Sequence, residues 1–172
     1  PDEASQHYQQ AIAQLAGRAD SDHDTQRLVD LVVKASDAMV AAGHADRAGK
    51  LAREQRESLP ADAPGLWRAQ LMTVEIETSF AYVNDVRVGA LAEKAMAELP
   101  EDAPPLVRAR LLAAYARSLM IYRRHEDAER AGREALALAE ELGRTGLAAE
   151  VAATLAGSWG RPPQLWIEPL RE

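Results

Sequence analysis

The chain has 172 residues, the length of a single domain, with 27 acidic against 20 basic residues, a formal charge of −7 and no cysteine. That charge argues against direct nucleic-acid binding, which needs basic clusters to neutralise phosphates. Absence of cysteine removes disulfides, thiolate catalysis and cysteine-based zinc sites together. Aromatic residues are only 5% and alanine is the commonest type, a balance that favours close-packed helices. No apolar run approaches the ~20 residues of a membrane span and no signal-peptide pattern opens the chain, so a cytoplasmic location is expected. The sequence starts at Pro1 without a methionine and is expected to be a piece of a longer protein.

In chain order, residues 3–17 read as a short helix with Tyr8, Ile12 and Leu15 on one side. The polar connection that follows offers Ser21, Asp22 or Asp24 as caps for the next helix. Over 25–42, Leu28, Leu31, Val32, Ala35 and Met39 recur at three and four, an amphipathic stripe that Gly43 ends. A helix over 45–58 follows so closely that the two must form an antiparallel hairpin. Leu59–Pro60 stops it, Asp62 is expected to cap the next helix, over 63–82, and Pro64 falls in its first turn; Leu99–Pro100 and Asp102 are expected to do the same before the helix over 103–122. Within that helix, TVEIETSFAYV (73–83) has strand-like composition, but the equivalent stretches of its neighbours are helical, so a helix is expected. Helices over 85–98, 103–122, 126–142 and 145–156 complete the series. The tail 158–172 contains Pro162 and Pro163 and cannot continue as helix. Its Trp159, Trp166 and Ile167 are expected to cover the open end of the stack.

The series is periodic. SLPADAPGLWRAQL (58–71) returns forty residues later as ELPEDAPPLVRARL (98–111), with nine identities in fourteen positions and no gap. A fixed period of ~20–50 residues is the signature of stacked repeats. The whole chain, 1–172, is therefore read as one all-α domain, an array of antiparallel helical hairpins in which each unit buries its neighbour's apolar face.

These hairpins resemble tetratricopeptide repeats. Tyr115–Ala116 stands at the large–small pair of the first helix of a hairpin, Ala128 and Ala135 at the small positions of the second. Val88 and Ala95, then Ala48 and Gln55, occupy those small positions in the earlier units. Gly43 takes the turn glycine, and Pro60 and Pro100 the closing proline. The unit is forty residues instead of 34, Val83 and Arg123 replace the turn glycine, and Glu75–Ile76 replaces the large–small pair. The resemblance implies a right-handed superhelical α-solenoid. The phrase HEDAERAGREALALAEELG is similar to the repeat regions of large bacterial regulators that carry an ATPase and a LuxR-type DNA-binding module. That likeness implies a signalling role within a transcriptional regulator.

No phosphate-binding glycine loop, H-E-x-x-H or G-x-S-x-G occurs, and no nucleophile–base pair has recognisable spacing. His44 and His125 fall in hairpin turns and are expected in solvent. His7 and His23 lie near Asp20, Asp22 and Asp24, which read as solvated capping residues more readily than as metal ligands. A non-catalytic protein without cofactor or metal is expected. In stacked hairpins the first helices line one groove. There Asp37, Glu77 and Arg117 form one level and Asp30, Gln70 and Arg110 the level before it, with Lys34, Val74, Ala114, Phe80 and Ile121 completing the wall. Seven of these, Asp37, Gln70, Glu77, Phe80, Arg110, Arg117 and Ile121, are the candidate binding residues. The groove is acidic towards its N-terminal end and basic towards its C-terminal end, which suits a protein or peptide partner of matching polarity. A small-molecule effector held in the groove, or a spacer that self-associates, are the alternatives. Arg68 and Arg108 are expected to pair with carboxylates on an adjacent helix, and Trp67 to pack between hairpins.

Overall fold

The computed structural model of the chain describes residues 2–16, 21–79 and 87–156. Eight helices occupy them: α1 (Asp2–Ala16), α2 (Asp22–Ala41), α3 (Ala45–Ser58), α4 (Gly65–Ser79), α5 (Arg87–Glu98), α6 (Pro105–Ile121), α7 (His125–Glu141) and α8 (Thr145–Ala156). No strand occurs among the described residues, and every helix bound that falls on them lies within three residues of its sequence-predicted counterpart; the expected ends at 17 and 82 and the expected start at 85 lie outside the described residues. The tail that carries Trp159, Trp166 and Ile167, and with it the expected cover, lies outside the described residues.

Local chemistry accounts for the boundaries. Ser21 caps α2, its hydroxyl accepting from the Asp24 N–H at 3.2 Å. Helices α2, α6 and α7 all end in the same double bond. His44, Arg124 and Arg144 N–H groups reach back to the Met39, Leu119 and Ala139 carbonyls at 2.8, 2.9 and 2.8 Å, while Gly43, Arg123 and Gly143 donate to Val40, Met120 and Glu140. This Schellman closure needs a left-handed residue, and Gly43, Arg123 and Gly143 have φ of 83°, 59° and 63°. The missing turn glycine in the α6–α7 hairpin therefore changes the residue and not the turn.

The proline-containing connectors work differently from the sequence expectation. Asp62 and Asp102 do not cap. Both are exposed, and the N-cap position of α6 is Pro104, without a side-chain bond. The chain turns on backbone bonds instead, Ala63 N–H to Pro60 and Ala103 N–H to Pro100 at 3.0 and 3.1 Å. Arg68 and Arg108 then fold back over these turns, donating to the Ala61 carbonyl at 3.4 Å and the Glu101 carbonyl at 2.9 Å. Arg68 also pairs with Glu98 of α5 at 2.6 Å, as expected of it; Arg108 donates to the Pro100 carbonyl at 3.0 Å rather than to a carboxylate.

Every helix packs on the next in sequence, and α2, α4, α6 and α8 also touch in succession, forming an inner row. Ile12, Leu28, Val32 and Trp67 lie in one apolar cluster, Met72, Ile76, Val88 and Leu111 in a second, Leu112, Ala135 and Val151 in a third. Trp67 is buried between α2 and α4, and its indole N–H donates to Gln26. The strand-like stretch is helical through Ser79 because α4 is enclosed by helices on several sides, with every residue from Leu71 to Ile76 buried. Burial of that extent overrides the weak β preference of Thr, Val and Ile. Thr73 and Thr78 satisfy their buried hydroxyls on the carbonyls of Ala69 and Val74, both at 2.8 Å. Of the small positions expected from the repeat resemblance, Ala48, Val88, Ala95, Ala128 and Ala135 are buried and Gln55 is half-buried. In α8, Ala149, Ala152, Ala153 and Ala156 are exposed, although Ala109, Leu112, Ala113 and Ala116, forty residues earlier, are buried.

Candidate functional site

The inner helices enclose a groove of about 900 Å³ that reaches from α2 to the α7–α8 turn. Five of the seven candidate residues line it: Asp37 on α2, Gln70 and Glu77 on α4, Arg110 and Arg117 on α6. Ile121 is exposed at the end of α6 but lies outside the groove, and Phe80 falls outside the described residues. Val74 and Ala114, expected in the wall, are buried in the core at 2% exposure each. Their places on the helix turn towards the neighbouring repeats, and Val33 and Leu106 supply apolar wall instead.

Arg110 is the centre of the site. Its Nη2 lies 2.6 Å from Glu77 Oε2 and 2.9 Å from Asp37 Oδ1, while Nε donates to Glu77 Oε1 at 3.2 Å and Nη1 to Asp37 Oδ2 at 3.2 Å. A guanidinium presents five donors in a planar fork, so one arginine can hold two carboxylates in this way. Burial on its own would lower the Arg110 pKa, but Glu77 and Asp37 outweigh it and the pKa is raised. The backbones of α2 and α6 do not approach each other closely, so the Asp37–Arg110 bond spans from one helix to the other past α4. The sequence places Asp37, Glu77 and Arg117 on one level. The observed pairing is diagonal, taking Arg110 from the level before.

Arg117 meets Glu150 of α8 across the groove. Desolvation lowers the Arg117 pKa, with Glu77 acting in the opposite direction. The acidic-to-basic polarity expected along the groove is therefore largely cancelled by pairing. Asp30, the remaining acid in the wall, accepts from Gln26 Nε2 at 2.9 Å. Two cations in the wall are uncommitted: Lys34 and Arg144, both exposed, form no ion pair among the described residues. Gln70 holds a buried Oε1 without a hydrogen-bond partner among the described residues.

Two polar features escaped sequence reasoning. Glu75, standing where the large residue of the repeat pair belongs, is 2% exposed and is gripped by Arg56 at 2.5 Å and Arg53 at 3.3 Å from α3. The Glu75 hydrogen bond raises the Arg56 pKa. A carboxylate at a core slot was the available signal. Secondly, His44 and His125 are half-buried instead of solvated, and His125 Nδ1 is enclosed without a partner. No cluster of three or more His, Asp or Glu suited to a metal ion occurs among the described residues, and none of their helices is long and apolar enough to cross a membrane. In comparisons with known proteins, no family model, no curated protein and no solved structure matches the chain.

Proposed function

We propose that the chain is a non-catalytic helical-repeat module of the tetratricopeptide type, a right-handed superhelical array whose groove binds a segment of another protein. The observation that carries this reading is the groove itself. It runs across four successive inner helices, and charged or polar residues occupy 11 of its 19 lining positions. A small-molecule pocket is enclosed and largely apolar with a few convergent polar groups, whereas a polar groove crossing several repeats suits an extended chain. The forty-residue period and the HEDAERAGREALALAEELG wording support a place within a larger signal-responsive transcriptional regulator.

The test is selection of dodecapeptides from a display library, followed by calorimetric titration of the enriched sequences. Arg117→Glu reverses a charge on the groove wall, and circular dichroism verifies that it folds. The expected result is at least about a tenfold loss of affinity, equivalent to about 1.4 kcal/mol. If the selected peptides bind Arg117→Glu as well as the parent, the groove is not their site.

A further inference from the structure

Hydrogen-bond commitment in the groove is one-sided. Its wall holds four acids and four bases. Every acid is engaged: Asp37 and Glu77 by Arg110, Glu150 by Arg117, and Asp30 by the Gln26 amide. Arg110 and Arg117 are consumed by the same pairs. Lys34 and Arg144 are left. Lys34 lies one helical turn beyond Asp30, the spacing at which an ion pair forms, but Gln26 holds that carboxylate from the turn before. Arg144 sits in the Schellman turn between α7 and α8, where its backbone N–H is used and its side chain is not. Gly146, one residue into α8 from Thr145, has open space where a side chain would stand, so a ligand can approach the first turn of that helix closely.

From this we infer that the groove recognises an acidic peptide segment, with Lys34 on one wall and Arg144 on the other receiving its carboxylates. The inference rests on the groove being a polypeptide site. A basic segment would meet carboxylates already engaged, Asp37, Glu77 and Glu150 by arginine and Asp30 by the Gln26 amide, and would have to compete with those bonds. An acidic one meets two free cations and the N-terminal end of α8, where helix polarity favours negative charge. Complementary charge of this kind governs encounter rate and choice of partner, and it is screened by salt.

Three fluorescein-labelled peptides of equal length, sharing the same leucines and carrying Glu, Gln or Lys elsewhere, provide the test by fluorescence anisotropy. The Glu peptide is expected to bind at least about tenfold more tightly than the other two at low salt, and to lose that advantage in molar salt. Combined Lys34→Glu and Arg144→Glu should abolish the preference. Lys50→Glu with Arg133→Glu, on the outer helices α3 and α7, should leave it within about twofold, which separates the groove from net charge. Tighter binding of the Lys peptide, or equal losses from the two double variants, would overturn the inference. So would displacement of the Glu peptide by equimolar glutarate, which would assign the cations to a small dicarboxylate. If none of the three binds while library-selected peptides remain sensitive to Arg117→Glu, the acidic assignment falls and the groove reading stands. If the selected peptides are also insensitive, both fall.

Discussion

Arg123 has a left-handed backbone at φ 59°, at the position where Gly43 closes the α2–α3 hairpin at φ 83°. Residues with a Cβ occupy that region at a cost of about 1–2 kcal/mol, because the Cβ crowds the backbone carbonyl. Glycine escapes the clash but loses more chain entropy on folding. Arg123→Gly is therefore expected to raise unfolding free energy by up to ~1 kcal/mol in a urea titration. Gly43→Ala should lower it by about 1 kcal/mol, purely through backbone strain, since no atom lies within 4 Å of an added Cβ. A Gly43→Ala protein as stable as the parent would show that the turn relaxes to another form.

On the scale of the element, α4 carries the most unusual burden: a helix buried on several sides with a carboxylate inside it. Glu75 is held by Arg56, which is 20% exposed, and by Arg53, which is 55% exposed, so Arg56 supplies most of the desolvated compensation. Removing one partner of a buried pair strands the other charge, whereas replacing the charge with a well-packed apolar group is often tolerated. Arg56→Ala is expected to cost about 3 kcal/mol by chemical denaturation, and Glu75→Met clearly less. The reverse order would mean that the pair itself, and not the stranded carboxylate, dominates. Packing of α4 against its neighbours is just as tight. An added Cβ at Gly49 of α3 would stand 2.5 Å from the Thr78 hydroxyl, so Gly49→Ala should destabilise by about 1–3 kcal/mol unless Thr78 gives up its bond to Val74.

For the molecule as a whole, Arg110 has a role that no pair of adjacent helices could fill. It ties α6 to α2 past the intervening α4 and so helps to set the width of the groove. Arg110→Met keeps the apolar stem but leaves Asp37 and Glu77 facing each other without a cation. The chain has no cysteine, so spin labels on Val40→Cys and Ile121→Cys, exposed at the ends of α2 and α6, report that width directly. The expected result is a longer, broader distance distribution in Arg110→Met than in the parent. An unchanged distribution would mean that helix packing alone fixes the groove.

Helix positions were legible in the sequence because they depend on local rules: apolar stripes at three and four, glycines that end helices, and prolines that stop them. The forty-residue echo likewise named the inner row, since a constant period puts equivalent residues on equivalent surfaces. Five of seven candidate groove residues followed from that register alone. Capping by Asp62 and Asp102 did not, because backbone turns and the folded-back Arg68 and Arg108 satisfy those connections first.

By itself, then, the sequence determined the eight helices, their order and much of the face each turns inward, all consequences of residue spacing along one chain, although Val74 and Ala114 turn into the core instead. Only the tertiary structure decided which charges find each other. Arg110 takes Asp37, 73 residues away, in preference to leaving it for Lys34 three residues before it, and Glu75 is neutralised from α3. Long side chains reach diagonally across helix levels, and a one-dimensional register cannot say which pairs will meet. Which charges of the groove stay uncommitted is settled by those pairings.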